Sequence, residues 1–219
     1  MRCSVADSPM AGRVISIDGP AASGKSSAGR AVAANLGFLF VSSGHFYRAY
    51  AWGAARDGIT AGTAPDWIVS RNLQVLRESS GLSLLLDGED ATPHLSAGTT
   101  ASMVSLLAAV PAVRDAVNSR LRALAGEHDL VMEGRDIGSV VFPETPWKFY
   151  LDASPEERAR RRAKEGLADR VAERDLLDST RKTAPLTIPE GAVVIDTSCL
   201  GLDGVVSSIL QHLASKGLR

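Results

Sequence analysis

Gly19, Gly24, Lys25 and Ser26 stand at the spacing G-x-x-x-x-G-K-S, with Pro20, Ala21, Ala22 and Ser23 filling the gap and Ser27 following. Glycines let successive backbone N–H groups turn inward around an anion with no Cβ in the way. A lysine at this offset reaches the β- and γ-phosphates of a nucleoside triphosphate, and the hydroxyl after it ligates Mg²⁺. The chemistry on offer is the holding of a triphosphate in an exposed loop. A chance glycine-rich turn is the alternative, and the flanking elements decide between them.

Those elements have the required types. Arg13 to Asp18 (RVISID) is short, apolar and β-branched, which predicts a buried strand. Lys25 to Leu36 is alanine-rich and stops at Gly37, which predicts a helix with a glycine cap. The helix N-terminus adds its own partial positive charge to the loop. Further strands are predicted at Phe38 to Val41, Asp129 to Glu133, Trp147 to Leu151 and Ala192 to Asp196, with helices between them. That alternation implies an α/β fold with a parallel sheet. The gap between the second and third strands is too long for one crossover. It holds a predicted helix from Asp66 to Ser79, a hairpin signal at Asp87-Gly88, and two more helices, the second opening at Pro111. An amphipathic helix, LDGVVSSILQHLAS, follows the last strand.

A triphosphate loop alone does not say what receives the phosphate. Four further places carry groups suited to a second anion. Ser42 to Arg48 (SSGHFYR) follows the second strand, at the carboxyl end where α/β folds bind ligands, and supplies hydroxyls, an aromatic face and an arginine. Glu133, Arg135 and Asp136 crowd the end of an apolar strand, where charges are costly without partners. A phosphate for Arg135 and a base or sugar for Asp136 would supply them, and so would an internal salt bridge. In SPEERARRRAKEG, Ser154, Pro155 and Glu157 form a capping-box pattern, and Arg158, Arg161 and Arg162 share a helix face. A solvated basic face is the plainer account of that helix. Arg174, Asp178 and Arg181 are spaced i, i+4, i+7, and two arginines flanking a carboxylate can grip a phosphate and a sugar hydroxyl together. Ion pairing along the helix is the alternative there.

Together, IDGPAASGKS, SSGHFYR, SLLAAVPAVRDAV, EGRDIGSVVFP, FYLDASPEERARRR and ERDLLDSTRKTAPL resemble the bacterial cytidylate kinases, within the nucleoside monophosphate kinases. The resemblance runs from about Val14 onward. It implies one P-loop kinase domain over residues 1–219, with a five-stranded parallel sheet flanked by helices. The core would be residues 12–43, 128–153 and 185–219, the monophosphate-binding part with its insertion 44–127, and a mobile lid 154–184. The implied reaction passes the γ-phosphate of ATP to CMP or dCMP. The implied ATP site is Gly19, Pro20, Ala21, Ala22, Ser23, Gly24, Lys25, Ser26 and Ser27, with Ser26 serving Mg²⁺, partly through water. Ser105, Arg114 and Asp136 would read cytosine, whose amino group and ring acceptors they complement. Arg48, Arg135 and Arg181 would clamp the CMP phosphate, Arg174 and Asp178 would meet the ribose, and Ser43 and Tyr47 would line the pocket. Lys25, Arg158, Arg162 and Arg181 would serve the transferring phosphoryl group. Two departures stand out. Ser42 replaces the aspartate that usually precedes "SG", so Mg²⁺ would lean more on Ser26 and Glu133, and the segment from Lys164 to Glu173 is short for the lid.

Composition narrows the field. A hydrophobic share of 45% suits a folded core, and a net charge of −1 argues against a general nucleic-acid binder. No apolar run approaches the roughly 18 residues that span a bilayer. The stretch MRCSVADSPMAGR lacks the apolar segment of a secretory signal. Cys3 is expected to be a free tail thiol and Cys199 a small buried side chain, which fits a reducing cytoplasm. A monomer is expected, with no membrane or nucleic-acid partner. The rival functions are a kinase for UMP or another small acceptor, and a P-loop NTPase used as a switch.

Overall fold

The computed structural model describes residues 12–78, 81–95, 101–164 and 186–218. Its main sheet is built from β1 (Val14–Asp18), β2 (Leu39–Ser42), β6 (Leu130–Gly134), β7 (Trp147–Asp152) and β8 (Val193–Asp196). All neighbours are parallel, in the order β2-β6-β1-β7-β8. The strands all point their carboxyl ends to one edge, and the chain passes from β1 to β2 leaving between them the place that β6 later fills. Every residue of β1 and of β6 is buried, as expected for central parallel strands covered on both faces.

Two apolar layers hold the sheet. On one face α1 (Lys25–Leu36) and α7 (Leu202–Ser215) bury Val32, Val205, Ile209 and Leu213 against Ile15, Ile17, Phe149 and Leu151. On the other face α2 (Ser43–Arg56) and α5 (Pro111–Glu127) bury Phe46, Tyr50, Val113, Val117 and Leu121 against Val41, Leu130 and Met132. The long insertion extends this second layer. It holds α3 (Ala64–Val69), the antiparallel sheet of β3 (Leu73–Glu78), β4 (Gly81–Leu86) and β5 (Glu89–Asp90), and α4 (Ala101–Ala108). Leu73, Leu84 and Leu86 of that sheet belong to the same apolar cluster as α2 and α5.

Four expectations change in detail. The helix expected from Asp66 to Ser79 ends at Val69, and Leu73–Glu78 is a strand. Its register pairs Leu73 with Leu86 and Val75 with Leu84, an alternation that puts those four on one face. The strand expected over Phe38 to Val41 runs one residue later, Leu39–Ser42, and Ser43 is the first residue of α2. The phosphate loop is not exposed, with Gly19, Pro20, Ala21, Ser23 and Lys25 all buried. Cys199 is exposed rather than buried. The hairpin signal holds, since Asp87 and Gly88 take φ of 54° and 85° between β4 and β5. Among the described residues no helix is long and apolar enough to cross a membrane.

Phe149 sits at the centre of the first layer with no exposed surface, its ring edge-on to His212 at 5.6 Å. Phe149→Ala removes that packing and leaves a cavity, at a cost of about 3–5 kcal/mol. Denaturant unfolding should show the loss as a lower midpoint at unchanged slope.

Candidate active site

The site forms where β1, β2 and β6 end. From β1 the chain turns through the phosphate loop into α1. Gly19 takes φ of 145°, and a Cβ there would lie 2.1 Å from the Leu151 carbonyl oxygen, so only glycine fits. Ala22 (φ 60°) and Gly24 (φ 89°) also take the left-handed region, which curls the loop around its own N–H groups. Lys25 Nζ donates to the Pro20 carbonyl at 2.5 Å. The loop is buttressed from outside. Arg161 donates to Ala22 O at 3.2 Å and to Thr197 O at 2.7 Å, and the Thr197 hydroxyl donates to Ser23 O at 3.0 Å.

A cavity of about 280 Å³ opens beside this loop. Its lining brings together Ala21 to Ser27 on one side and Ser43, Tyr47, Arg48, Ser105, Arg114, Arg135, Asp136 and Arg162 on the other. These are all the expected acceptor-site residues that the structure describes. Arg174, Asp178 and Arg181 lie outside the described residues. Gly19 and Pro20 shape the loop without lining the cavity. Arg158 lines it neither, and donates instead to Ala153 O at 3.1 Å and Ala21 O at 3.4 Å.

The electrostatics divide the cavity into two ends. Near the loop, burial pulls the Arg48 pKa down, as do the charges of Arg162 and Arg135, while Glu133 opposes them. Like charges brought this close mark a place for a polyanion. Among the described residues Glu133 is the buried carboxylate that opposes them. Burial pushes its pKa up, but Lys25, a hydrogen bond from Ser42, Arg135 and Arg48 outweigh it, and the carboxyl ends below its ordinary value. Glu133 Oε1 accepts from Ser42 and, at 3.2 Å, from Ser26. At the other end Arg114 and Asp136 form a buried salt bridge, the arginine 3% exposed and the aspartate 7%. Arg114 also donates to Ala108 O at 3.4 Å and lies over the Tyr47 ring at 6.0 Å. The internal salt bridge foreseen as an alternative therefore exists, and its two members still face the cavity.

Sequence reasoning missed a second cavity on the outer side of the loop. It is about 480 Å³ and shares Ala22, Ser23, Gly24 and Ser27 with the first. Arg161, Thr197, Leu200, Leu202 and Val205 complete much of its wall. An exposed leucine pair just after the last strand was the available signal, since Leu200 and Leu202 are 43% and 47% exposed. The capping box is also only half made. Ser154 Oγ accepts from Glu157 N at 3.2 Å, but the Glu157 carboxylate goes to Arg160 and Arg161.

Two outcomes follow from these buried charges. Arg114→Met strands the Asp136 carboxylate without its cation and should cost about 3–5 kcal/mol of stability, part of which returns in Arg114→Met/Asp136→Asn. Thermal melts of the three proteins check this. Asp18, at the end of β1, is fully buried, and burial pushes its pKa from 3.8 up to about 7. The nearby Asp136 charge pushes the same way, and the backbone N–H groups of Gly138 and Ile137 and the Lys25 charge oppose it. A folded-state pKa above the unfolded one means that the contribution to stability is present at low pH and is lost as pH rises through about 7. Asp18→Asn should therefore flatten the decline of melting temperature between about pH 4 and about pH 7.

Known proteins place this geometry. The shikimate kinase from Acinetobacter baumannii, solved in complex with shikimate, superposes with a TM-score of 0.50 at 18% identity, covering 95% of this chain and 96% of that one. That likeness shows a shared fold. The cytidylate kinase of Thermus thermophilus is 43% identical over 206 residues, covering 91% of this chain and 98% of its own. That of Pelotomaculum thermopropionicum is 39% identical over 217 residues, covering 92% and 96%. The family model described as cytidylate kinase matches residues 15–215, so the chain belongs to the cytidylate kinase family.

Proposed function

We propose that this enzyme transfers the γ-phosphoryl group of ATP to CMP or dCMP, giving ADP and CDP or dCDP. One observation carries the reading. A single cavity has a phosphate loop on one wall, Arg48, Arg135 and Arg162 converging beside it, and the buried Arg114–Asp136 pair at its far end. An acceptor that fits must have an anion at one end and a neutral polar ring at the other.

Cytosine fits that far end. Its amino group is a donor that Asp136 and Ser105 can accept, and its ring acceptors suit Arg114. Uracil presents a carbonyl where cytosine has the amino group, and the buried carboxylate would then face an acceptor. The acceptor phosphate falls to Arg48 and Arg135, joined by Arg181 from outside the described residues, with Arg174 and Asp178 toward the ribose. The donor triphosphate falls to Gly19–Ser27, with Lys25 and Arg162 on the transferring group. Its nucleoside takes the second cavity, whose leucines and valine suit a base. A phosphate oxygen of CMP attacks the γ-phosphorus as the bond to the leaving ADP oxygen breaks. The protein's part is positioning and charge neutralisation.

The donor set also suits a hard divalent ion. Ser26 and Glu133 present only oxygen ligands, which fits Mg²⁺ holding most of its own water. When bound, Mg²⁺ neutralises charge on the phosphate oxygens. Ser42 orients the carboxylate, which is how the chain can manage with serine at that position. The division into a core, a monophosphate-binding part over 44–127 and a lid over 154–184 belongs to the same reading, as do a monomeric state and a cytoplasmic setting.

A coupled assay of ADP formation over CMP, dCMP, UMP, AMP and shikimate checks the proposal. Turnover should need an acceptor and should be greatest with CMP and dCMP. ATP hydrolysis indifferent to all five would favour the NTPase switch. Lys25→Ala should cost at least on the order of 10²-fold in rate while the circular dichroism spectrum stays that of the folded protein. Near-normal kinetics would remove Lys25 from the donor site.

A further inference from the structure

We propose that Asp18 is a positioning residue for the acceptor end of the site: it caps the turn that Asp136 opens, taking the Gly138 N–H that Asp136 would otherwise hold, and so leaves that carboxylate to Arg114 and the cavity. The inference rests on the acceptor reading given above and assigns a part of it to a residue outside the cavity wall.

Asp136 occupies the cap position of a short helical turn, Ile137–Val141. An aspartate there ordinarily folds its carboxylate back onto the N–H of the second or third residue of its own turn, here Gly138 or Ser139. Asp136 makes no such bond. The N–H groups of Ile137 and Gly138 donate instead to Oδ1 and Oδ2 of Asp18, each at 2.7 Å, across more than a hundred residues of chain. With its own turn capped from β1, the Asp136 side chain pairs with Arg114.

The neighbouring contacts make this a built junction. The β1–β6 ladder ends with Asp18 opposite Gly134, so the sheet itself does not place residues 135–138. Three hydrogen bonds to Asp18, the last residue of β1, and to Gly19 after it take over where the ladder stops. Arg135 Nη1 donates to Gly19 O at 2.7 Å, and Ile137 and Gly138 donate to Asp18. They fall on both sides of Asp136. Gly138 is what lets the turn come so near. A Cβ there would lie 2.6 Å from Ser16 Oγ and 3.1 Å from Asp18 Oδ2. The same two residues, Asp18 and Gly19, begin the phosphate loop. The loop that holds the donor and the loop that reads the acceptor are therefore fixed to each other by a carboxylate that touches neither substrate.

Asp18→Asn tests this with almost no change of shape, because it turns one accepting oxygen into an NH₂ group facing an N–H donor. Titration calorimetry without turnover should show CMP binding weakened on the order of tenfold. Binding of a non-hydrolysable ATP analogue should stay within about twofold, a split that a general loss of structure would not produce. The double variant Asp18→Asn/Asp136→Asn should bind CMP within about twofold of Asp136→Asn alone, because the first residue acts through the second. Equal losses for CMP and the ATP analogue, unchanged CMP binding, or additive losses in the double variant would each overturn the proposal. If Asp18→Asn fails to fold, Gly138→Ala pries apart the same junction with the carboxylate intact, and the same split is expected. Wild-type protein that does not bind CMP defeats the acceptor reading itself. Wild type that binds CMP, with an Asp18→Asn protein indistinguishable from it, defeats only the role of Asp18.

Discussion

A buried charge must be answered, and among the described residues three carboxylates lie where water cannot answer them. Asp18 ends β1, Glu133 is the last residue but one of β6, and Asp136 follows that strand, all under one tenth exposed. Each is met by a different kind of partner. Asp18 takes backbone N–H groups, Glu133 takes hydroxyls and the field of Lys25, Arg48 and Arg135, and Asp136 takes the guanidinium of Arg114. These partners come from β2, the start of α1, α2, α5 and the chain after β6. Satisfying the carboxylates therefore fixes five pieces of chain around one space.

The positive charges are arranged with a different balance. Arg114 pairs with Asp136, whereas the half-buried Arg48, Arg135 and Arg162 crowd one another beside Glu133, on which Lys25 also acts. Like charges held this close repel one another, and an arriving anion offsets that cost. The specific end of the cavity is thus preorganised and neutral, and the phosphate end is primed by charge. An acceptor is gripped at one end and read at the other. The insertion matters here because α4 and α5 bring Ser105 and Arg114 to the neutral end. Its β3–β5 sheet backs α2 through Leu86 and Leu84, which share a cluster with Phe46 and Tyr50.

Much of this was legible in the sequence, for physical reasons that also explain the failures. The helix at Lys25–Leu36 appears with its expected bounds because a glycine at each end sets them. The strands of the main sheet show as short apolar runs, most fully for β1 and β6, which are covered on both faces. The stretch after Trp67 misled, since Leu73, Val75 and Leu76 give apolar residues at both strand and helix intervals. Only pairing with β4 shows that Leu76, 44% exposed, is on the outer face. The acceptor residues were found through resemblance as well as residue type, and the structure gathers those it describes into one cavity. Contacts to backbone atoms were not legible at all. Arg161 and Thr197 hold the phosphate loop by carbonyl oxygens, and no side-chain pattern records that a carbonyl will be there.

Asp18 shows the same limit from the other side. Read in sequence, it is the last residue of an apolar strand, an odd place for an acid, and nothing near it in the chain explains it. Its partners are two N–H groups at the start of a turn that already has an aspartate in the capping position. The fold has two carboxylates where helix capping needs one. That surplus is what frees Asp136: a cap supplied from β1 separates the job of closing the turn from the job of facing the cavity. The separation requires β1 and β6 to be adjacent, which is the parallel pairing made possible by sending the chain from β2 through the whole insertion before it returns to the sheet. The order of the strands, and not only the residues at their ends, therefore decides which acid is available for recognition.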